Sequence, residues 1–225
     1  FIDAAGNAGV TDTTANTGSV TVDLTKPTLT IAIASNNGQA ATQATTGNNI
    51  VLTITASESV TALVCTIDEE ATTMGGSGTS WTSTLTLSGD ETAGAAAISC
   101  ASFQDATGNV GVTDTSATSG AVTVDLTKPT LGIAMASNNA DTSKAKSGDI
   151  ITLTITPTEA VTALVCTIDG EATSMGGSGT SWTSTLTLDG DETEGAAAFS
   201  CASFKDATGN VGTTDTSANT GSVNI

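Results

Sequence analysis

Cys100-Ala-Ser-Phe103-Gln-Asp105-Ala-Thr-Gly-Asn109-Val-Gly opens the stretch that decides the fold. After a Thr/Ser-rich run it closes on Val122-Thr-Val124-Asp125-Leu-Thr-Lys-Pro129. An apolar strand runs into an acidic Gly-Asn turn, a second strand follows, and an Asp-to-Pro junction leads into the next unit. The stretch recurs on both sides. Phe1-Ile-Asp3-Ala-Ala-Gly-Asn7 leads to Val-Asp23-Leu-Thr-Lys-Pro27, and Cys201-Ala-Ser-Phe204-Lys-Asp206-Ala-Thr-Gly-Asn210 runs on towards Ile225.

Self-similarity at a fixed period marks a repeat architecture. Residues 60–109 and 161–210 differ at six of fifty positions: Glu69/Gly170, Thr73/Ser174, Ser88/Asp189, Ala93/Glu194, Ile98/Phe199 and Gln104/Lys205. The 225 residues therefore divide into two full units, 24–125 and 126–225. Residues 1–23 precede them as the C-terminal part, strands F and G, of an earlier unit. Phe1 aligns with Phe103 in mid-unit, so the chain is expected to be a window on a longer array.

Each unit has a normal domain size but a thin core. Aromatic residues are 3% of the chain, and Tyr and His are absent. Only 12% of residues are charged and apolar alternation is clean, which points to folded domains rather than disorder. The net charge of −18, with five lysines and no arginine, argues against nucleic acid and against anionic membranes. It favours divalent cations and like-charge spacing between fibres; a solvated acidic surface is the plainer account. The sequence holds no apolar run long enough for a transmembrane helix.

Strand signals recur at sandwich spacing. Leu29, Ile31 and Ile33 alternate with Thr30, Ala32 and Ala34. Ile50, Leu52 and Ile54 form a second strand, Leu63, Cys65 and Ile67 a third, and Trp81, Leu85 and Leu87 another. Ile98 and Cys100 lie on a further strand, and Val122 and Val124 on the last. Period-two alternation buries one face and wets the other. A short strand near 70–74 makes seven, lettered A to G, and predicts an all-β Greek-key sandwich in each unit. Gly47-Asn48-Asn49, Gly75-Gly76-Ser77-Gly78, Ser88-Gly89-Asp90 and Gly108-Asn109 supply the turns, with Gly75–Gly78 read as a hairpin tip. Pro27 and Pro129 open strand A without costing an interior ladder bond.

Asp105-Ala106-Thr107-Gly108-Asn109, Asp125-Leu126-Thr127-Lys128-Pro129 and Ser57-Glu58-Ser59-Val60 together resemble the bacterial-type immunoglobulin-like repeat. Such repeats stand in tandem in large surface adhesins and extracellular fibres of bacteria and microbial eukaryotes. The resemblance covers the whole chain and implies tandem immunoglobulin-like domains on an extracellular or cell-surface protein. The cysteines depart from it, since many such repeats have none.

Cys65 and Cys100 recur as Cys166 and Cys201. An even count, two per unit, on the neighbouring strands C and F reads as one disulfide within each unit. Two buried free thiols are the alternative. Cys100 and Phe103 have opposite parity on strand F although both look like core residues; a bulge would reconcile them. Trp81 and Trp182 are read as core residues on strand E, facing the bridge. A carbohydrate-stacking platform is the alternative, but it needs further aromatics beside each tryptophan.

In an immunoglobulin-like sandwich the B–C and F–G loops share the pole where the chain enters. Glu58 lies in the first loop, Asp105 and Asn109 open the second, and Asp23 arrives on the linker. Asp125, Glu159, Asp206 and Asn210 repeat the set, and Asp3 and Asn7 are a remnant of another. Calcium takes six to eight oxygen ligands of these kinds, so a calcium ion is expected at each junction. The alternative is that Asp105 and Asn109 only shape the turn. Asp68, Asp90 and Glu91 fall at the opposite pole and are weaker candidates.

Nothing reads as catalysis. A Ser/His/Asp set is impossible without His, and Gly75–Gly78 lacks the lysine and helix of a phosphate loop. Paired carboxylates repeated identically along a rod do not resemble a glycosidase site. The expected role is structural: a segment of a long extracellular array forming the shaft of an appendage or filament. Its partners are then neighbouring repeats and other copies in a fibre. The alternatives are the stalk of an adhesin that presents a distal ligand-binding domain, and an accessory module of a secreted polysaccharide-active enzyme.

Overall fold

A computed structural model describes residues 1–14, 18 and 20–225. Residues 15–17 and 19, within the leading segment, lie outside the described part. No helix occurs among the described residues.

The first unit contains β1 (Leu29–Ser35), β2 (Gln43–Ala44), β3 (Asn49–Val60), β4 (Val64–Ile67), β5 (Glu70–Ala71), β6 (Thr73–Thr86), β7 (Gly94–Ala95), β8 (Ile98–Ala101) and β9 (Thr123–Val124). The second contains β10 (Leu131–Ser137), β11 (Ile150–Pro157), β12 (Val165–Ile168), β13 (Glu171–Ala172), β14 (Ser174–Ser178), β15 (Ser181–Thr187) and β16 (Phe199–Ala202).

One sheet is ordered β1-β3-β6, with the fuller order β10-β11-β15-β14 in the second unit. The facing sheet is β5-β4-β8, repeated as β13-β12-β16. A third ladder, β2-β9-β7, joins β2 in parallel to β9. This places strands A, B, E and D in one layer and C and F in the other, as in an immunoglobulin-like sandwich, while the last strand, β9, pairs with β2 and β7. The short strand expected near 70–74 divides in two. Glu70–Ala71 pairs with β4, and in the second unit the residues after Glu171–Ala172 pair in a hairpin with the strand that carries the tryptophan. The tip of that hairpin in the second unit is Gly179-Thr180, between the paired Ser178 and Ser181. Gly177, at φ +98°, is required there because a Cβ would run into the Ser181 carbonyl.

The register explains the alternation. Ile31↔Ile54 and Ile33↔Leu52 pair across β1 and β3, and Leu52↔Ser83 across β3 and β6. These side chains meet Cys65, Ile67, Cys100 and Phe103 from the other layer, and Val122 and Val124 at the third ladder, in one buried cluster. The second unit has its own cluster, from Leu131 to Val223. The outward positions are mostly Thr and Ala, which suit a pleated, half-wet surface. Ser83 is a polar exception, fully buried and donating to Thr72 Oγ1.

The parity conflict between Cys100 and Phe103 is resolved by the backbone. Ser102 adopts φ +61° after β8 ends, re-aiming the chain so that both residues are fully buried. The Phe103 ring then lies over Gly111, where any Cβ would collide with it, and Phe204 lies over Gly212 in the same way. In the leading segment the turn at Asp3 forms, with the bridge Ile2↔Ala8.

Candidate functional site: the junction between units

Cys65 and Cys100 face each other across β4 and β8 and are bonded, as are Cys166 and Cys201 across β12 and β16. The backbone N–H and C=O of Cys100 both bond to Asp114 on its other side. Towards Cys65 the pair is therefore a non-hydrogen-bonded one, in which strands approach most closely. That accounts for a Cα separation of 4.1 Å. All four cysteines are buried. Trp81 is half-buried against the same core, and its Nε1 donates to Gly78 O at 3.0 Å.

The acidic turn is built around one carboxylate. Asp105 Oδ1 accepts from the N–H groups of Thr107, Gly108 and Asn109 at 2.7–2.8 Å, and Oδ2 accepts from Asn109 Nδ2 at 2.7 Å. Burial pushes the Asp105 carboxyl up, but the donors of Asn109 and Thr107 outweigh it and hold it at about 2. Asp206 is built the same way and is likewise held below its ordinary range against its burial. Asp3 forms the turn a third time.

One oxygen of each of Asp23, Glu58 and Asp105 lies within 4.8 Å of the others, and Asp125, Glu159 and Asp206 converge equally. Glu58 is pushed up by burial and by the charges of Asp105 and Asp23. Glu159 is pushed up by burial, Asp206 and Asp125. Asn109 and Asn210 take a different part from the one expected of oxygen ligands. Each directs Nδ2 to the aspartate of its turn and to the linker carbonyl, Asp23 O at 3.2 Å and Asp125 O at 3.1 Å. The amide nitrogen goes there because both acceptors need a donor. The trio of carboxylates remains as the candidate cation set, with two or three oxygens already engaged by the turn.

Four contacts carry the second unit on the first. Asn37 Nδ2 donates to Thr208 O at 2.9 Å, and the Thr45 hydroxyl donates to Asn210 Oδ1. Thr208 Oγ1 donates to Asp125 Oδ2 at 3.2 Å, and Asn210 Nδ2 reaches Asp125 O. The covering is visible in exposure: Thr208 and Asn210 are 5% and 6% exposed, whereas the equivalent Thr107 is exposed and Asn109 half-exposed. The linker is short. Asp125 N still bonds to Ala44 O of the first unit, and Thr130 O already accepts from Thr158 N of the second. Between them Asp125 Oδ1 caps Thr127 N, and Pro129 is buried.

Sequence reasoning missed Asn37, Thr45 and Thr208 as junction residues. The signal for the first two lay in the loop after Asn37, where the two units differ by one residue in length. A third acidic group, Glu171, Asp189 and Glu192, was also missed. It exists only in the second unit because Asp189 stands where the first has Ser88. Asp68, Asp90 and Glu91 join no such group among the described residues. Asp68 Oδ1 accepts from Ala97 N, and Glu91 accepts from Ser88 and Gly89, so these two shape local backbone.

No family model matches the chain, and no curated protein matches it. Among solved structures the chain is similar to the I-band fragment I67–I69 from titin, at 10% identity and a TM-score of 0.46. That match covers 90% of this chain and 66% of the fragment. It is also similar to the titin domains z1z2 in complex with telethonin, at 12% identity and a TM-score of 0.31, covering 91% of this chain and 98% of that one.

Proposed function

We propose that the chain is a structural segment of an extracellular tandem array, the shaft of a cell-surface appendage or filament, with junctions stiffened by calcium. The observation that carries the reading is the repeated entry pole. The same carboxylate trio and the same Asp-x-Thr-Gly-Asn turn stand at the start of both units, and the second is clasped by the first. A short linker, a buried proline and side chains locked across the boundary make the joint stiff, which a shaft needs and a catalytic site does not. The disulfides suit an oxidising compartment. Three carboxylates within 4.8 Å repel one another, and a hard divalent cation is the ligand that removes this cost.

Calcium at ten times its Kd would add about 1.4 kcal/mol to the folded state, raising the melting temperature by about 5–10 °C for units of this size. Calorimetric titration of the full chain, with scattering measurements in calcium and in chelator, tests this. Binding of one ion per trio, with greater bending in chelator, is expected. An unchanged melting temperature and an unchanged scattering profile at millimolar calcium would overturn the calcium-stiffened joint.

A further inference from the structure

We infer that the far pole of the second unit is a socket for the Asp-Ala-Thr-Gly-Asn loop of a further copy of the unit, with Lys146 clamping its carboxylate trio. This deepens the reading of the chain as part of an array and rests on it. In the first unit the corresponding surface already holds such a loop: Asn37 and Thr45 grip Thr208 and Asn210.

The second unit repeats the two turns of that surface, although its loop is one residue shorter and Asn139 Nδ2 donates to Asp149 Oδ2 at 2.8 Å. Asn48 N donates to Thr45 O and Asn48 Oδ1 accepts from Thr45 N. Likewise Asp149 N donates to Lys146 O, and Asp149 Oδ2 accepts from Lys146 N. Asn139 holds the place of Asn37, with the same Asx contact two residues on, Asp141 N to Asn139 Oδ1 matching Gln39 N to Asn37 Oδ1. Lys146 therefore stands where Thr45 stands. Its side chain is 76% exposed, and its amine pairs at 3.5 Å with the largely covered Asp149 carboxylate.

The reach is set by the occupied junction. The Thr45 hydroxyl touches Asn210 Oδ1, and the other end of that amide touches Asp206 Oδ2 and Asp125 O. A lysine at this position extends several ångströms beyond a threonine hydroxyl, past one amide group, to the carboxylates themselves. A flexible stem with a compact ammonium suits a cluster of several oxygens. The chain has five lysines against 23 acidic residues, and two of the five, Lys144 and Lys146, lie in this one turn. The first unit has the uncharged Gln43 and Thr45 there. The array then contains two kinds of joint: one neutralised by a divalent cation, and one neutralised by a lysine of the preceding unit.

The test places the lysine in the joint already formed. Thr45→Lys in the full chain should abolish the effect of chelator on the second unit's melting and lower calcium affinity at Asp125, Glu159 and Asp206 at least tenfold. In chelator at low salt it should melt above Thr45→Gln, which has length without charge, and high salt should erase the difference. Equal melting of the two variants in chelator at low salt would overturn the inference, whether or not the wild-type joint binds calcium. A chain in which residues 125–225 follow Ile225 a second time guards against mispacking at Thr45. There Lys146→Thr should make the added joint sensitive to chelator, and no change in that joint would equally overturn the inference.

Discussion

Replacing Asn210 by alanine separates the work of the turn from the work of the joint. Asn210 Nδ2 divides its two hydrogens among Asp125 O, Asp206 Oδ2 and Thr208 Oγ1, and Oδ1 accepts from Thr45, three bonds in all, at 6% exposure. At about 0.5–1.5 kcal/mol net per bond the range is ~1.5–4.5 kcal/mol. Thr208 keeps its backbone N–H bond to Asp206 and its hydroxyl bond to Asp125, so part of the network survives and about 3 kcal/mol is expected. For a unit of this size the second unit's melting temperature should fall by about 10–20 °C.

Asn109→Ala is the matched control. Asn109 makes the equivalent donations, to Asp23 O, Asp105 Oδ2 and Thr107 Oγ1, but without a unit seated over them. Water can take the vacated places, and about 1 kcal/mol is expected. A double-mutant cycle of Asn210→Ala with Thr45→Val, read by differential scanning calorimetry, should give a coupling of about 1 kcal/mol, as touching residues do. Equal losses for the two asparagines, with additive effects of Thr45 and Asn210, would refute the account of the joint.

The disulfides and the carboxylates give two further predictions. Removing Cys65 and Cys100 together opens a loop of 35 residues, and the chain-entropy relation puts the loss at about 4 kcal/mol; denaturant titration should find the first unit destabilised by that order, and a loss below about 1 kcal/mol would count against it. In chelator, stability should rise as pH falls from neutrality towards the ordinary glutamate value of 4.5, because the raised Glu58 and Glu159 take up protons in the folded chain before the unfolded one does. It should then fall as pH drops from 3.8 towards about 2, where Asp105, depressed by its hydrogen bonds, must be protonated. Saturating calcium should erase the first limb, and a steady decline from neutrality in chelator would contradict the pole's electrostatics.

The parts of this molecule that follow from alternation and spacing were legible in the sequence, because each depends on one residue's partner along its own unit. Ile31, Ile54 and Leu85 face inward by period two, and the separation of Cys65 from Cys100 matches two strands paired edge to edge. The convergence of Asp23, Glu58 and Asp105 followed from knowing which loops share a pole. What alternation cannot convey is direction at a polar atom. Asn109 and Asn210 carry both an oxygen and a nitrogen, and which end faces the aspartate depends on an unpaired linker carbonyl that no local pattern marks. Ser102 hid the resolution of the Cys100 and Phe103 parity, since nothing in a serine announces φ +61°. The joint itself was hardest to see, because Asn37 and Thr45 touch residues more than 160 positions away and neither is apolar or charged. Only the comparison of one unit with the next marks the position, threonine at 45 in the first and lysine at 146 in the second.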